Sequence, residues 1–179
     1  MRRSLLILGA SGSIGSQTLS VIKDNKDRFT LLGFSVGSRT RCISYILKAH
    51  PECIYVCVKE KQKYITYSKK YPNVHFYYGD DGLISLIKEC PAEMVVNALV
   101  GFVGLLPTIE SLRLNKIVAL ANKESLVVGG EIINKMLKKG QGTLYPIDSE
   151  HVAIAKCLQV ESKNVDKLVI TASGGAFRD

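Results

Sequence analysis

Seven residues near the start of the chain have the composition and spacing of a phosphate-binding turn. Gly9, Gly12 and Gly15 are spaced three residues apart, with Ser11 and Ser13 between them. Gly9 permits a tight turn, Gly12 lets the backbone approach a pyrophosphate, and Gly15 lets a helix pack closely on the preceding strand. The serine hydroxyls add hydrogen-bond donors for phosphate oxygens. The pattern predicts a nucleotide-phosphate site, with an ordinary turn as the alternative because the spacing departs from G-x-G-x-x-G.

Two carboxylates separated by one residue, Asp148 and Glu150, are a second candidate for chemistry. In an extended segment both would point to one side and share a hard divalent cation such as Mg²⁺ or Mn²⁺. Substrate oxygens and another carboxylate would then be needed to complete the site. The alternative is a solvated turn in which Asp148 is the N-cap of the following helix. The residues alone leave both interpretations open.

Three other features are weaker candidates for ligand binding. Lys123 is able to neutralise a substrate oxyanion or phosphate, although an isolated lysine is more often a surface residue. The run 173–175, Ser-Gly-Gly, resembles a backbone nest for phosphate, with a structural turn as an equal alternative. Residues 101–107 are predicted to form a glycine-bearing loop, either beside the cofactor or as a plain turn. No serine–histidine–acid or cysteine–histidine order indicates covalent catalysis.

The elements that must position these residues alternate between strand and helix. Apolar runs predict strands at residues 4–8, 30–36, 53–58, 74–78, 94–100, 117–121, 143–147 and 167–171. Helical patterns separate most of them, at residues 16–22, 43–48, 61–70, 82–90 and from about 122 to 139. This alternation predicts a Rossmann-like, doubly wound α/β fold with a mostly parallel sheet. Its last three strands each lead into a polar cluster, at 122–125, 148–150 and 173–175, on the edge where such sheets bind ligands.

The end of the second predicted strand indicates which nucleotide the fold prefers. NAD-binding folds carry an acidic residue near this position to bind the ribose 2′-hydroxyl. Here the strand is followed by Gly37, Ser38, Arg39 and, two residues later, Arg41, with no acid. A hydroxyl and two guanidinium groups suit a 2′-phosphate. The sequence therefore favours NADPH over NADH, the alternative being a basic loop that arose by chance.

Composition limits the classes of protein and partner. The net charge is +8, from 24 Lys and Arg against 16 Asp and Glu, which suits phosphorylated cofactors. The densest basic stretch, residues 59–63, is predicted to be the solvated face of a helix, so we expect no nucleic-acid partner. No apolar run approaches the roughly 20 residues that span a bilayer. Five cysteines without a C-x-x-C pair argue against disulfides and zinc, and a reducing cytoplasm is expected.

Five stretches in order along the whole chain resemble the 1-deoxy-D-xylulose 5-phosphate reductoisomerase family. They are GASGSIG at 9–15, GFVGLLPT at 101–108, ANKESLV at 121–127, DSEH at 148–151 and SGGAFR at 173–178. The resemblance implies a homodimeric enzyme of non-mevalonate isoprenoid synthesis that depends on NADPH and on Mg²⁺ or Mn²⁺. Such an enzyme rearranges the skeleton of a ketose phosphate and reduces the resulting aldehyde to 2-C-methyl-D-erythritol 4-phosphate.

The resemblance also implies a role for each matching residue. Cofactor contacts fall on Ser11, Gly12, Ser13, Ile14, Gly37, Ser38, Arg39, Asn122 and Glu124. Substrate contacts fall on Lys123, Ser149, Glu150 and Ser173, metal ligands are Asp148 and Glu150, and the catalytic set is Lys123, Asp148 and Glu150. Residues 1–147 are expected to form the NADPH-binding domain and 148–179 the start of the catalytic domain. We therefore expect an amino-terminal portion that is inactive alone; the alternative is a non-catalytic NADP(H)-binding module that regulates a partner.

Overall fold

A seven-stranded parallel sheet organises the protein in a computed structural model, which describes residues 2–160 and 165–169. The strands are β1 (Arg3–Leu8), β2 (Phe29–Val36), β3 (Tyr55–Val58), β4 (His75–Tyr78), β5 (Met94–Asn97), β6 (Ile117–Leu120) and β7 (Thr143–Pro146). Their order is β4-β3-β2-β1-β5-β6-β7, and every neighbouring pair is parallel. Strand order reverses at the β1–β5 pair, so the ligand-binding crevice of such a sheet lies at the carboxyl ends of these two strands.

Helices connect the strands in the part of the chain that the structure describes. They are α1 (Ser13–Asp24), α2 (Cys42–Ala49), α3 (Lys61–Lys70), α4 (Gly79–Glu89), α5 (Leu105–Arg113), α6 (Glu124–Lys138) and α7 (Ser149–Val160). A short 3₁₀ turn, Phe102–Gly104, comes immediately before α5. Within the same residues, none of the helices combines the length and the apolar character needed to cross a membrane.

Alternate residues of the central strand face two separate hydrophobic cores. Leu5 and Ile7 pack in one core with Ile22 of α1 and Ile43 of α2, and the α3 tyrosines pack against it. Leu6 and Leu8 face the opposite side, where they share a core with α4. A third cluster joins α5 and α6 to β6. A strand buried on both faces reads as a continuous apolar run, as β1 does, and the predicted doubly wound α/β fold is confirmed.

Strands β1–β7 and helices α1–α4 and α6 correspond to predicted elements, whereas α5 and α7 were not among the predicted helices. Three predicted segments also differ from the structure. The strand predicted for 94–100 ends at Asn97, and the loop predicted for 101–107 contains the 3₁₀ turn and the start of α5. Pro107 does not prevent this helix from forming, because it lies in the first turn of α5, where a missing N–H breaks no helical hydrogen bond. The strand predicted for 167–171 is wrong over residues 167–169, which have no regular structure, and its last two residues lie outside the described part of the chain.

Because three cysteine thiols are buried, we expect the free energy of unfolding to fall at alkaline pH. Burial raises the pKa of Cys57 to about 12 and also raises the pKa of Cys53 and Cys90. The unfolded chain releases these protons near pH 8.5, so the stability they contribute is complete below that pH and is lost between about 8.5 and 12. Each thiol can lower the free energy of unfolding by up to about 1.4 kcal/mol per pH unit in this window. Lys116, whose pKa burial lowers, acts in the opposite direction.

Urea unfolding between about pH 8 and pH 10 measures this dependence. We expect Cys57→Val to flatten the decline, and Cys157→Ser, at an exposed thiol, to leave it unchanged. An identical decline in both variants would contradict the assignment to buried thiols.

Candidate functional site

The turn after β1 lies at the point where the strand order reverses. Gly9 has φ +87°, and a Cβ there would lie 2.7 Å from the carbonyl oxygen of Ala98, which follows β5. Its N–H donates to Ser35 Oγ at 2.9 Å, and the Ala10 N–H donates to the Ser35 carbonyl at 2.8 Å. The turn is therefore held between β2 and β5, in a conformation that only glycine adopts without strain.

Helix α1 begins directly against this turn. A Cβ on Gly15 would lie 2.3 Å from the Gly9 carbonyl oxygen and 2.6 Å from the Ala10 Cα. The Gly12 carbonyl accepts the first helical hydrogen bond, from Ser16 N–H at 2.9 Å. Because the first amide groups of a helix lack helical acceptors and lie at its positive end, this arrangement suits a phosphate. Ser13, the first residue of α1, is exposed, and Ser11, Gly12 and Ile14 are partly buried.

A groove of about 960 Å³ runs from this turn between α1 and α2. Its lining includes Ser11 at one end and Ser38 and Arg39, both exposed, beyond the carboxyl end of β2. The charged side chains among the described lining residues are all basic: Lys23, Lys26, Arg39, Arg41 and Lys63. The groove therefore brings the predicted phosphate turn and the predicted 2′-phosphate residues together in one positively charged cleft.

The pKa values of two neutral side chains in the groove, His50 and Cys42, differ from their ordinary values. Burial and the nearby Lys26 ammonium lower the pKa of His50, so its imidazole carries no charge at neutral pH. Burial raises the pKa of the Cys42 thiol, whose Sγ donates to the Arg39 carbonyl at 3.2 Å. The positive charge of the groove at pH 7 therefore comes from its lysines and arginines.

The polar cluster after β6 combines two buried side chains, Asn122 and Ser125, with the more accessible Lys123 and Glu124. Asn122 is only 1% exposed, and its Nδ2 donates to Glu124 Oε2 at 3.2 Å. Lys123 is exposed at the N-cap position of α6, where its carbonyl accepts the Leu126 and Val127 N–H groups. Lys123 is therefore accessible to a ligand at the carboxyl edge, whereas the Asn122 side chain is enclosed by protein.

The segment after β7 is helical, which corrects the extended geometry expected for Asp148 and Glu150. The Asp148 carbonyl accepts the Val152 N–H at 3.0 Å, and its Oδ2 lies 2.5 Å from His151 Nδ1. Ser149 and Glu150 are exposed in the first turn of α7. Asp148 immediately precedes α7 and Glu150 is the second residue of that helix, so the extended segment expected for the pair is wrong. Asp148 occupies the position directly before α7, which is the N-cap position that the alternative interpretation gave it.

Metal-binding groups are not clustered in the residues that the structure describes. Among residues 2–160 and 165–169, no three His, Cys, Asp or Glu side chains are arranged to hold an ion. Ser173, predicted to bind substrate with the turn 173–175, lies outside the described residues.

Two residues that organise this edge were missed from the sequence. Ser35 anchors the phosphate turn from within β2, and Asn97 ends β5 with its side chain fully buried. Both are polar residues inside otherwise apolar strands, which was the available signal. A buried polar side chain needs partners, so its presence indicates a loop folded back onto the strand end.

Comparisons with known proteins agree on one family over the whole chain. Residues 5–130 match the family described as 1-deoxy-D-xylulose 5-phosphate reductoisomerase, and residues 144–179 match the C-terminal domain of the same enzyme. The 1-deoxy-D-xylulose 5-phosphate reductoisomerase 2 of Bacillus thuringiensis subsp. konkukian is 42% identical over 180 residues, 99% of this chain. That alignment covers 47% of the Bacillus protein, so the chain spans about half the length of the curated relatives it matches.

Solved structures of the same enzyme have the same fold. A DOX-P reductoisomerase in complex with NADPH, fosmidomycin and magnesium matches with a TM-score of 0.81 and 34% identity, over 89% of this chain and 40% of that chain. The Zymomonas mobilis enzyme in complex with NADPH matches with a TM-score of 0.80 and 31% identity, over 88% of this chain and 41% of that chain. The chain therefore belongs to the 1-deoxy-D-xylulose 5-phosphate reductoisomerase family.

Proposed function

We propose that this chain supplies the NADPH-binding part of a reductoisomerase that converts 1-deoxy-D-xylulose 5-phosphate to 2-C-methyl-D-erythritol 4-phosphate. Residues 1–147 would form the cofactor domain and 148–179 the beginning of the catalytic domain. The proposal rests on family membership and on relatives whose structures are described as complexes with NADPH, fosmidomycin and magnesium. A homodimeric assembly and a cytoplasmic location are further parts of the proposal, and the five free thiols are consistent with a reducing compartment.

The observation that carries the proposal is the basic groove that joins the phosphate turn to Arg39. The glycines of the turn are required for its conformation, because a Cβ at Gly9 or Gly15 would lie within 2.7 Å of backbone atoms. Hydroxyls and helix amides at one end suit the pyrophosphate, and a guanidinium at the other suits a 2′-phosphate. The donor set is therefore that of an NADPH site.

The cofactor roles divide between two ends of this site. Ser11, Gly12, Ser13 and Ile14 would hold the pyrophosphate, and Gly37, Ser38 and Arg39 would hold the adenosine 2′-phosphate. NADPH, when bound, supplies the hydride for the reduction. Glu124 and Asn122 lie at the carboxyl end of β6, three strand spacings from β2 or roughly 14 Å. This distance suits residues near the far end of an extended dinucleotide.

Substrate binding is proposed for the edge beyond β6 and β7. Lys123 is an exposed cation whose ammonium can neutralise a phosphate or an oxyanion of the substrate. Ser149 and Glu150, exposed in the first turn of α7, would add polar contacts, and Ser173 is proposed on resemblance alone. The amides of this first turn favour an anion near Ser149.

Metal binding is proposed for Asp148 and Glu150 from their donor chemistry, since carboxylate oxygens are the ligands that Mg²⁺ and Mn²⁺ prefer. The described residues do not form a complete site, because no three His, Cys, Asp or Glu side chains among them are arranged to hold an ion, and Asp148 Oδ2 lies 2.5 Å from His151 Nδ1. The residues assigned to this edge would bind and orient the anionic substrate.

Calorimetric titration of the chain with NADPH and, separately, with NADH tests the cofactor site. We expect NADPH to bind and NADH to bind at least about 10-fold more weakly, a difference of about 1.4 kcal/mol, because only NADPH carries the 2′-phosphate. A circular dichroism melt of the same sample establishes whether the chain is folded. Equal affinities, or no binding by a cooperatively folded chain, would contradict the proposal.

A further inference from the structure

The buried side chain of Asn122 joins two loops at the ligand-binding edge. Its Nδ2 donates to the carbonyl of Leu99 at 2.9 Å and to the carbonyl of Gly101 at 2.8 Å, both in the loop after β5. Its Oδ1 accepts the N–H of Ser125 at 3.1 Å and also the Ser125 hydroxyl. The side chain thus connects the β5–α5 loop to the first turn of α6.

The hydrogen-bonding capacity of this carboxamide is fully used within the protein. An asparagine amide has two N–H donors, and the carbonyls of Leu99 and Gly101 engage them, with Glu124 as a third, longer acceptor. The carbonyl oxygen has two lone pairs, and Ser125 supplies two donors for them. Because the residue is 1% exposed, a direct side-chain contact with a ligand would require one of these buried bonds to break.

Gly104 leaves the space that this side chain occupies. A Cβ at Gly104 would lie 2.5 Å from Asn122 Cγ and 2.6 Å from its Oδ1. The Gly104 carbonyl in turn accepts Asn97 Nδ2 at 2.9 Å and the Thr108 hydroxyl at 2.9 Å. Two buried asparagines at the ends of neighbouring strands therefore hold the loop 98–104 from both sides.

The loop that Asn122 holds borders the phosphate turn. The Ala98 carbonyl lies 2.7 Å from the position of a Cβ on Gly9, so a shift of the loop would alter the packing of the turn. The same loop presents Val100, 86% exposed, and Phe102, 63% exposed, at the ligand-binding edge. Its position therefore affects the space available to a ligand on the β5–β6 side of the crevice.

We propose that Asn122 is a positioning residue, which fixes the 98–104 loop and the start of α6 through buried hydrogen bonds and acts on the cofactor only through them. This inference rests on the proposed function and refines it, since it assigns an indirect effect to a side chain otherwise expected to touch NADPH. The affected end of the cofactor is the one distant from Ser38 and Arg39. Adenosine 2′,5′-bisphosphate contains only the adenosine end of the cofactor. Its affinity for the chain should therefore not depend on Asn122.

The test compares four forms of the chain: unmodified, Asn122→Ala, Ser125→Ala and the control Asn134→Ala. Ser125 is fully buried and cannot touch a ligand, whereas Asn134 is an exposed asparagine on the same helix. Each form is titrated with NADPH and with adenosine 2′,5′-bisphosphate. Chymotryptic cleavage after Phe102, identified by mass spectrometry without ligand, reports the loop independently of the cofactor.

We expect Asn122→Ala and Ser125→Ala each to weaken NADPH binding about fivefold or more, the usual effect of a lost buried hydrogen bond. Both should accelerate cleavage after Phe102, and neither should change the affinity for adenosine 2′,5′-bisphosphate more than about twofold. Asn134→Ala should behave like the unmodified chain. Gly104→Ala alone should weaken NADPH binding, because its Cβ would collide with the Asn122 carboxamide. In a chain that already carries Asn122→Ala this carboxamide is absent, so Gly104→Ala should weaken NADPH binding less.

Two results would overturn the inference. If Asn122→Ala weakens NADPH binding while Ser125→Ala changes neither affinity nor cleavage, the Asn122 side chain contacts the cofactor directly. If Asn122→Ala weakens the binding of NADPH and of adenosine 2′,5′-bisphosphate equally, Asn122 supports the general stability of the fold and does not position the loop. Failure of the proposed function would look different: the unmodified chain would bind neither ligand, and unchanged cleavage after Phe102 in Asn122→Ala would still refute the loop attachment.

Discussion

Gly15→Ala should abolish measurable NADPH binding and destabilise the protein by about 3 kcal/mol. The added Cβ would lie 2.3 Å from the Gly9 carbonyl oxygen and 2.6 Å from the Ala10 Cα, and both are backbone atoms that cannot rotate away. Relief of this collision requires α1 to move off the turn, which separates the helix amides from the phosphate position. Urea unfolding measures the stability change, and calorimetry with NADPH measures the binding.

Gly130→Ala is the matched control for this substitution. Gly130 also lies within a helix, α6, but a Cβ there meets nothing within 4 Å. The control should therefore raise stability by up to about 1 kcal/mol through helix propensity and leave NADPH binding unchanged. Wild-type NADPH affinity in Gly15→Ala would refute the assignment of residues 9–15 to the pyrophosphate.

Arg39→Ala should weaken NADPH binding about 10- to 100-fold and leave NADH binding unchanged. Hydrogen bonds to charged groups are worth about 1.5–3 kcal/mol, and the guanidinium is exposed at the groove end with no acidic residue among the described lining. Parallel titrations with the two nucleotides measure the change as a ratio of affinities. That ratio cancels any general loss of folded protein.

Arg28→Ala controls for the loss of one positive charge. Arg28 precedes β2 at the opposite edge of the sheet, with its guanidinium 5.6 Å from the Phe29 ring centroid. NADPH binding should be unchanged in this variant, apart from weak screening effects. Equal weakening in both variants would indicate an effect of net charge, and equal losses of NADPH and NADH in Arg39→Ala would remove the basis for NADPH selectivity.

The phosphate turn was predictable because its requirements are local. Gly9, Gly12 and Gly15 stand between an apolar strand and a helical pattern, and each glycine relieves a close approach within a few residues or to the adjacent strand. The alternating elements also predicted the parallel sheet, since a strand buried on both faces is apolar throughout.

The predictions that were wrong concern segments whose conformation depends on contacts with residues outside the segment. Residues 101–107 contain Pro107 and two glycines, which indicate a loop locally, yet the segment begins a helix because Gly104 and Thr108 are held by Asn97. The expected carboxylate pair failed for a similar reason. Asp148 directly precedes α7 and contacts His151, and Glu150 lies in the first turn of that helix rather than in an extended segment.

Local sequence patterns were sufficient to place the seven strands along the chain, the phosphate turn and the basic end of β2. Periodicity and glycine spacing carry that information because they reflect backbone geometry over a few residues. Three relations depend instead on tertiary packing: Ser35 supports the turn, a groove joins Ser11 to Arg39, and the Asn122 side chain bonds to the carbonyls of Leu99 and Gly101. These relations join residues more than 20 positions apart, which come together only when the strands assemble into the sheet.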